Sequence, residues 1–164
     1  MARAYVGFGS NLDNPAEQIR AALAAVADMP GTTLLSASSL YSSSPMGPQD
    51  QPDYINAVAE LETVFTPQQL LAELLRIERE AGRNRENALH WGPRVLDLDL
   101  LVYADQQISE PYLTVPHPGI AERSFVVLPL FEIAPDLQIP GVATVRSLAQ
   151  SIDSAGLRRL PAVE

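Results

Sequence analysis

The sequence contains no cysteine and no lysine, and its only histidines are His90 and His117. Without cysteine there are no disulfides, no thiolate metal sites and no cysteine nucleophile. Two histidines are too few for a His-rich zinc site. All eleven cations are arginine. That removes the Walker-type phosphate loop, which needs its lysine, and Schiff-base chemistry, which needs an amine. Arginine remains the side chain best suited to a two-pronged grip on phosphate. Long apolar runs are missing as well. Proline or charge interrupts each one well short of a bilayer span, and Met1-Ala2-Arg3-Ala4-Tyr5 lacks a signal-peptide apolar region. A soluble, cytoplasmic protein with no membrane partner is expected. The net charge of −9 is opposite to the basic face of a nucleic-acid binder, so no nucleic-acid partner is expected. An anionic small substrate would need a local basic patch or a metal.

What is present is enough for one globular domain over residues 1–164, with 46% hydrophobic residues; we read it as a monomer. Arg3 to Phe8 has strand character and runs into Gly9-Ser10-Asn11, a turn-like tripeptide. A helix follows, with Asn14 as cap, Pro15 at the first helical position and Glu17 at capping-box spacing. Ile19, Leu23 and Val26 recur at helical intervals until Pro30-Gly31. Thr33 to Tyr41 predicts a second strand. Ser42 to Asp53 is a long Pro-rich loop, of a length that tends to be functional. Tyr54 to Thr63 predicts a third strand, and Thr66-Pro67-Gln68-Gln69 opens a second helix whose apolar face is Leu70, Leu71, Leu74 and Ile77 and which stops at Gly82. A polar, Arg-bearing loop, 83–93, leads into the strand Arg94 to Tyr103. The order βαββαβ predicts an α+β, ferredoxin-like core: two helices on one face of a mainly antiparallel sheet, with the other face free for function. Beyond it come a hairpin near Asp105-Gln106, the segment Val115-Pro116-His117-Pro118, a short helix over Ser124 to Ile133, and a loosely attached tail, Leu157 to Glu164.

The fourth strand carries the chemistry. In Arg94-Val95-Leu96-Asp97-Leu98-Asp99-Leu100 the alternation sends the leucines to the core and both aspartates to the opposite face. Neighbouring like charges on one strand face repel and need a partner. A hard divalent cation such as Mg²⁺ is held in this way, by one or two carboxylates plus substrate phosphates. Alone, the pattern also fits a strand with a wet, acidic face. Arg83, Arg85, Arg94 and Arg123, with His117, supply cations able to surround a polyphosphate, which phosphoryl-group transfer requires.

The run His90-Trp91-Gly92-Pro93-Arg94-Val95-Leu96-Asp97-Leu98-Asp99-Leu100-Leu101 resembles the signature of 6-hydroxymethyl-7,8-dihydropterin pyrophosphokinases of folate biosynthesis. Gly9-Ser10-Asn11, the segment Gly47 to Asn56, Leu113-Thr114-Val115-Pro116-His117 and Pro129-Leu130-Phe131-Glu132-Ile133-Ala134-Pro135 agree in order, so the resemblance spans nearly the whole chain. It implies an ATP-dependent transfer of a pyrophosphoryl unit to the pterin hydroxymethyl group, releasing AMP, with attack on the β-phosphorus in line. By the same resemblance Asp97 and Asp99 bind two Mg²⁺ ions, and Arg83 and Arg94 join them as catalytic residues. Glu78, Arg83, Arg85, Arg94, His117 and Arg123 contact ATP. Tyr54 and Phe125 sandwich the pterin, Asn56 reads its polar edge, Ser43 and Met46 add contacts, and Trp91 closes over it. The sequence departs from the familiar pattern at Glu86, Pro118 and Ser43. Two other readings compete. A non-catalytic ferredoxin-like binding module would not need paired acids among arginines, and a different Mg²⁺-dependent phosphotransferase would release ADP rather than AMP.

Overall fold

Alternation in the first ten residues sets the sheet. Strand β1 (Ala2–Ser10) sends Ala4, Val6 and Phe8 to one side, where they are buried, and Tyr5, Gly7 and Gly9 to the other. The computed structural model describes residues 1–12, 14–43, 53–82 and 96–161. Helices α1 (Pro15–Ala27) and α2 (Pro67–Gly82) cover the Ala4, Val6 and Phe8 side. Ile19, Ala22 and Val26 of α1 and Leu70, Leu74 and Ile77 of α2 meet Leu96, Leu98 and Leu100 there, as the strand's alternation predicts. The cap of α2 forms as expected: the Thr66 amide donates to Gln69 Oε1 at 2.9 Å and the Gln69 amide to Thr66 Oγ1 at 3.1 Å. The cap of α1 does not. Asn14 has a left-handed backbone (φ 61°), which turns its side chain away from the first helical amides, and Glu17 pairs with Arg20 at 2.5 Å instead.

β4 (Tyr54–Thr63) lies beside β1, and β5 (Asp97–Tyr103) lies on β1's other side, all antiparallel. The expected second strand is two: β2 (Thr32–Ala37) and β3 (Tyr41–Ser43), which pair with successive lengths of β4. They separate because side chains take over the ladder between them. Ser38 Oγ accepts from the Val58 amide at 2.9 Å, and the Ser39 amide turns to the Glu132 carboxylate. Taking β2 and β3 as one interrupted strand, the spatial order second, third, first, fourth is that of the ferredoxin-like fold.

Three expectations change. The face opposite α1 and α2 is not free along its length. Helices α3 (Ser124–Ile133) and α4 (Val145–Ser151) lay Val126, Leu130 and Val145 over Tyr5, Val58, Leu101 and Val102 as a second core. The cause is a register shift in the β1–β5 pairing at Tyr5/Val6, past which β5 buries both Leu101 and Val102. The terminal segment is not a loose tail either. β10 (Leu157–Arg159) pairs with β3 and forms the edge of the main sheet. Lastly, the chain turns at Ala104, but the hairpin lies further on, where β6 (Ile108–Glu110) pairs with β7 (Leu113–Val115) through Pro111-Tyr112. A small third pair, β8 (Gln138–Ile139) and β9 (Ala143–Thr144), precedes α4. No helix among the described residues is long and apolar enough to cross a membrane.

Candidate active site

With α3 and α4 over one part of the sheet, the functional face is reduced to the end where β1 finishes and β5 begins. Register places the groups there in rows. Asp97 stands opposite Gly9, Gly9 opposite Asn56, and Asn56 opposite Tyr41; in the next row Asp99 stands opposite Gly7 and Gly7 opposite Val58. Asp97 therefore flanks a residue without a side chain at Gly9, whereas over Gly7 the Leu101 side chain closes in, 3.5 Å from where a Cβ would lie. The floor is tight at Gly9, where a Cβ would lie 3.3 Å from Asn56 Oδ1 and 4.0 Å from Tyr54 Cδ1. Gly9 reads as part of a turn in the sequence, but it is a strand residue facing Asn56 and Tyr54, a neighbour of the candidate site that sequence reasoning misses. Two glycines alternating within a strand are the signal that could have found it.

Asn56 is buried, and its Nδ2 donates to Ser43 Oγ at 2.7 Å. This fixes the amide's orientation and leaves Oδ1 toward Gly9. Ser43 pairs with Tyr54 across β3 and β4, so Ser43, Tyr54 and Asn56 share the face of the acids. The polar-edge reader and one candidate stacking ring are thus brought together. The second ring, Phe125, begins α3, which packs against β4 and β3. The Arg123 guanidinium lies over it, 5.8 Å from the ring centroid.

On the β5 side, His117 follows the cis Val115–Pro116 bond. Its amide donates to the Leu101 carbonyl at 2.9 Å, and its Nδ1 accepts from the Gly119 amide at 3.1 Å. The accepted bond fixes the neutral tautomer, so Nε2 carries the hydrogen and points at Asp99 Oδ1, 3.9 Å away. Burial lowers the His117 pKa from its ordinary value of 6.5; Asp99 pulls it up and Arg123 pushes it down. A cavity of about 330 Å³ shares His117 and is further walled by Thr114, Pro116, Ile120, Pro140 and Val142. Over Gly119 lies the Arg123 side chain, whose Nε would stand 2.7 Å from a Cβ there.

Glu78 is neither a solvated helix residue nor distant. Its Oε2 accepts from the Leu98 amide at 2.6 Å, which ties α2 to β5 between the two aspartates. Among the described residues no group of three or more His, Asp or Glu forms a closed metal cage. Two carboxylates on one face suit a hard cation that keeps water and substrate phosphate in its shell. Arg83, Arg85, Arg94, Met46 and Trp91, together with the loop 83–93 and most of the loop 42–53, lie outside the described residues.

The fold is thus an α+β domain with two acids, an imidazole donor and a buried amide at one end of an antiparallel sheet. Residues 5–135 match the family 7,8-dihydro-6-hydroxymethylpterin-pyrophosphokinase (HPPK). The chain belongs to that family. It is 49% identical over 150 residues to the 2-amino-4-hydroxy-6-hydroxymethyldihydropteridine pyrophosphokinase of Haemophilus influenzae, covering 92% of each chain. With the enzyme of the same name from Pseudomonas aeruginosa it shares 46% identity over 159 residues, 97% of each. Among solved structures, an HPPK-DHPS protein of Plasmodium falciparum superposes with a TM-score of 0.72 at 14% identity, over 96% of this chain and 46% of that one, which supports the fold alone. The chain thus spans about half the length of the solved chains it resembles.

Proposed function

We propose that this chain transfers the terminal diphosphate of ATP to the hydroxymethyl group of 6-hydroxymethyl-7,8-dihydropterin, yielding AMP and the pterin diphosphate, a step of folate biosynthesis. The activity follows from the family; the assignment of residues is our reading. Residues 1–164 act as one catalytic domain. The observation that carries the assignment is the juxtaposition across β1: Asp97 and Asp99 on one side of Gly9 and Gly7, and Asn56 with its Ser43 partner on the other. A phosphate-binding half and a ring-binding half meet across Gly9.

In this reading the pterin lies between Tyr54 and Phe125 with Asn56 reading its polar edge, aided by Ser43, Met46 and Trp91. Its hydroxymethyl group then points over Gly9 toward the acids. The hydroxyl oxygen bonds to the β-phosphorus and gives up its proton to water, while the bond from that phosphorus to the α–β bridging oxygen breaks and its electron pair leaves with AMP. His117 donates from Nε2, and Arg83, Arg85, Arg94 and Arg123 donate from guanidinium groups, to the phosphate oxygens on which charge collects. Arg83 and Arg94 serve as the catalytic pair. Arg123 would exchange its place over Phe125 for the triphosphate. Asp97 and Asp99 would hold two Mg²⁺ ions, which when bound neutralise phosphate charge. Glu78 holds β5 and would contact the nucleotide.

The test is direct. The protein incubated with ATP, Mg²⁺ and 6-hydroxymethyl-7,8-dihydropterin should release AMP in step with pterin diphosphate, and EDTA should stop it. Release of ADP would assign a simple kinase instead, and turnover undiminished by EDTA would remove the metal from the reading.

A further inference from the structure

Glu132, in the segment Pro129 to Pro135, has no part in the chemistry above, yet it collects more hydrogen bonds than any single contact would need. The Ser39 amide reaches both its oxygens at 3.0 and 3.1 Å, Ser39 Oγ donates to it at 2.9 Å, Tyr41 Oη at 2.7 Å and Arg159 Nη2 at 3.2 Å. Arg159 Nε also donates to Ser39 Oγ at 3.1 Å. The carboxylate belongs to α3, while its donors belong to the β2–β3 break, β3 and β10. One side chain thus joins three parts of the fold. Burial and this carboxylate together hold the Tyr41 hydroxyl in its protonated, donating form, its pKa raised above the ordinary 10.0.

Each tie leads back to the pterin slot. Phe125 and Glu132 are seven residues apart on α3, two turns and about 10.5 Å along the axis, and so on the same face. Pro129 lies between them and has no N–H to return to the Phe125 carbonyl, so the helix's own ladder is weakest where it presents that ring. Tyr41 and Ser43 are two residues apart on β3 and share a face: Tyr41 holds Glu132, and Ser43 holds Asn56. β10 closes the arrangement, with Leu157 opposite Ser43 and Arg159 opposite Tyr41.

We infer that Glu132 is a positioning residue that sets the gap between Phe125 on α3 and the Ser43, Tyr54 and Asn56 wall, and that the C-terminal strand takes part in pterin recognition through Arg159. The inference rests on the slot proposed above. It assigns to β10, the last strand of the sheet, a part in recognising a ligand that it does not touch.

Arg159→Met, Glu132→Gln and Glu132→Ala, with Phe125→Ala as a control of the slot itself, can be titrated as full-length proteins with 6-hydroxymethyl-7,8-dihydropterin and, separately, with a non-hydrolysable ATP analogue and Mg²⁺. Arg159 is largely exposed, so its replacement spares the fold, and pterin affinity should fall about three- to tenfold. Glu132→Gln keeps the acceptor for the Ser39 amide and should fall between wild type and Glu132→Ala, which should lose more than about tenfold. Affinity for the ATP analogue should stay within about twofold throughout, and for Arg159→Met and the Glu132 variants kcat at saturating pterin should hold. If Arg159→Met and Glu132→Gln both keep wild-type pterin affinity while Phe125→Ala loses it, the positioning role is wrong and the slot stands. If Phe125→Ala also binds normally, the slot itself is wrong and the inference falls with it. Equal losses for both ligands would mark a structural role only and would overturn the proposal.

Discussion

Replacing Gly9 by valine should empty the pterin slot while leaving the chain folded. A Cβ at this position already lies 3.3 Å from Asn56 Oδ1, tighter than an ordinary carbon–oxygen contact, and 4.0 Å from Tyr54 Cδ1. Asn56 cannot simply retreat, because its amide nitrogen is held at 2.7 Å by Ser43 and the residue is buried. Valine adds two further methyl groups over that floor. Overpacking of a well-fitted site costs about 1–3 kcal/mol, which corresponds to roughly 5- to 150-fold in pterin affinity. The fold has an offsetting gain: glycine is poor within a strand, by about 0.5–1 kcal/mol, and valine is favoured there. Net stability should therefore fall by no more than about 2.5 kcal/mol. Calorimetric titration with the pterin, beside a thermal melt, measures both quantities. Gly9→Ala should fall between wild type and valine. The reasoning fails if Gly9→Val binds pterin within about twofold of wild type, or if the melt collapses and both ligands are lost together.

Asp97→Ala and Asp99→Ala should each lower kcat by about a hundredfold or more; near-normal turnover in Mg²⁺ would refute the assignment. Gly31 stands at φ +64°, and a Cβ there would lie 2.3 Å from Val64 Cγ2. The exposed Val64 side chain can swing away, so Gly31→Ala should cost mainly the left-handed backbone penalty of about 1–2 kcal/mol; an unchanged denaturation midpoint would contradict it.

Local signals were legible where one short segment contains its own explanation. Helix α2 follows from the reciprocal Thr66 and Gln69 cap and its apolar period, and the common face of Asp97 and Asp99 follows from the period of two in β5. The sequence places helix α3 over Ser124–Ile133, but its apolar character on several sides implies a helix needing cover, and no local pattern says that the cover is the face expected to be open. The length of β1 was hidden because Gly9 and Ser10 look like turn residues unless their partners in β4 and β5 are known. β10 is three residues long, two of them arginine, and only β3 makes it a strand. The Glu132 cluster left no pattern at all. Its donors lie 93, 91 and 27 residues away, so no window of sequence contains it.

The register shift opposite Leu101 gives β5 an unusual genetic constraint. Upstream of it, odd and even positions decide between solvent and the α1–α2 core: Asp97 and Asp99 on one side, Leu98 and Leu100 on the other. Losing or gaining one codon between Asp97 and the anchored Leu101–Val102 pair would invert that parity, driving an acid toward the core and a leucine into the catalytic face. Substitutions in this stretch exchange one group at a time, whereas a single-codon insertion or deletion exchanges all of them. A deletion library scanned across β5 should therefore show a sharp intolerance from Asp97 to Leu101. Single-codon changes at the exposed Pro111-Tyr112 turn, where no such counting applies, should be accepted far more readily.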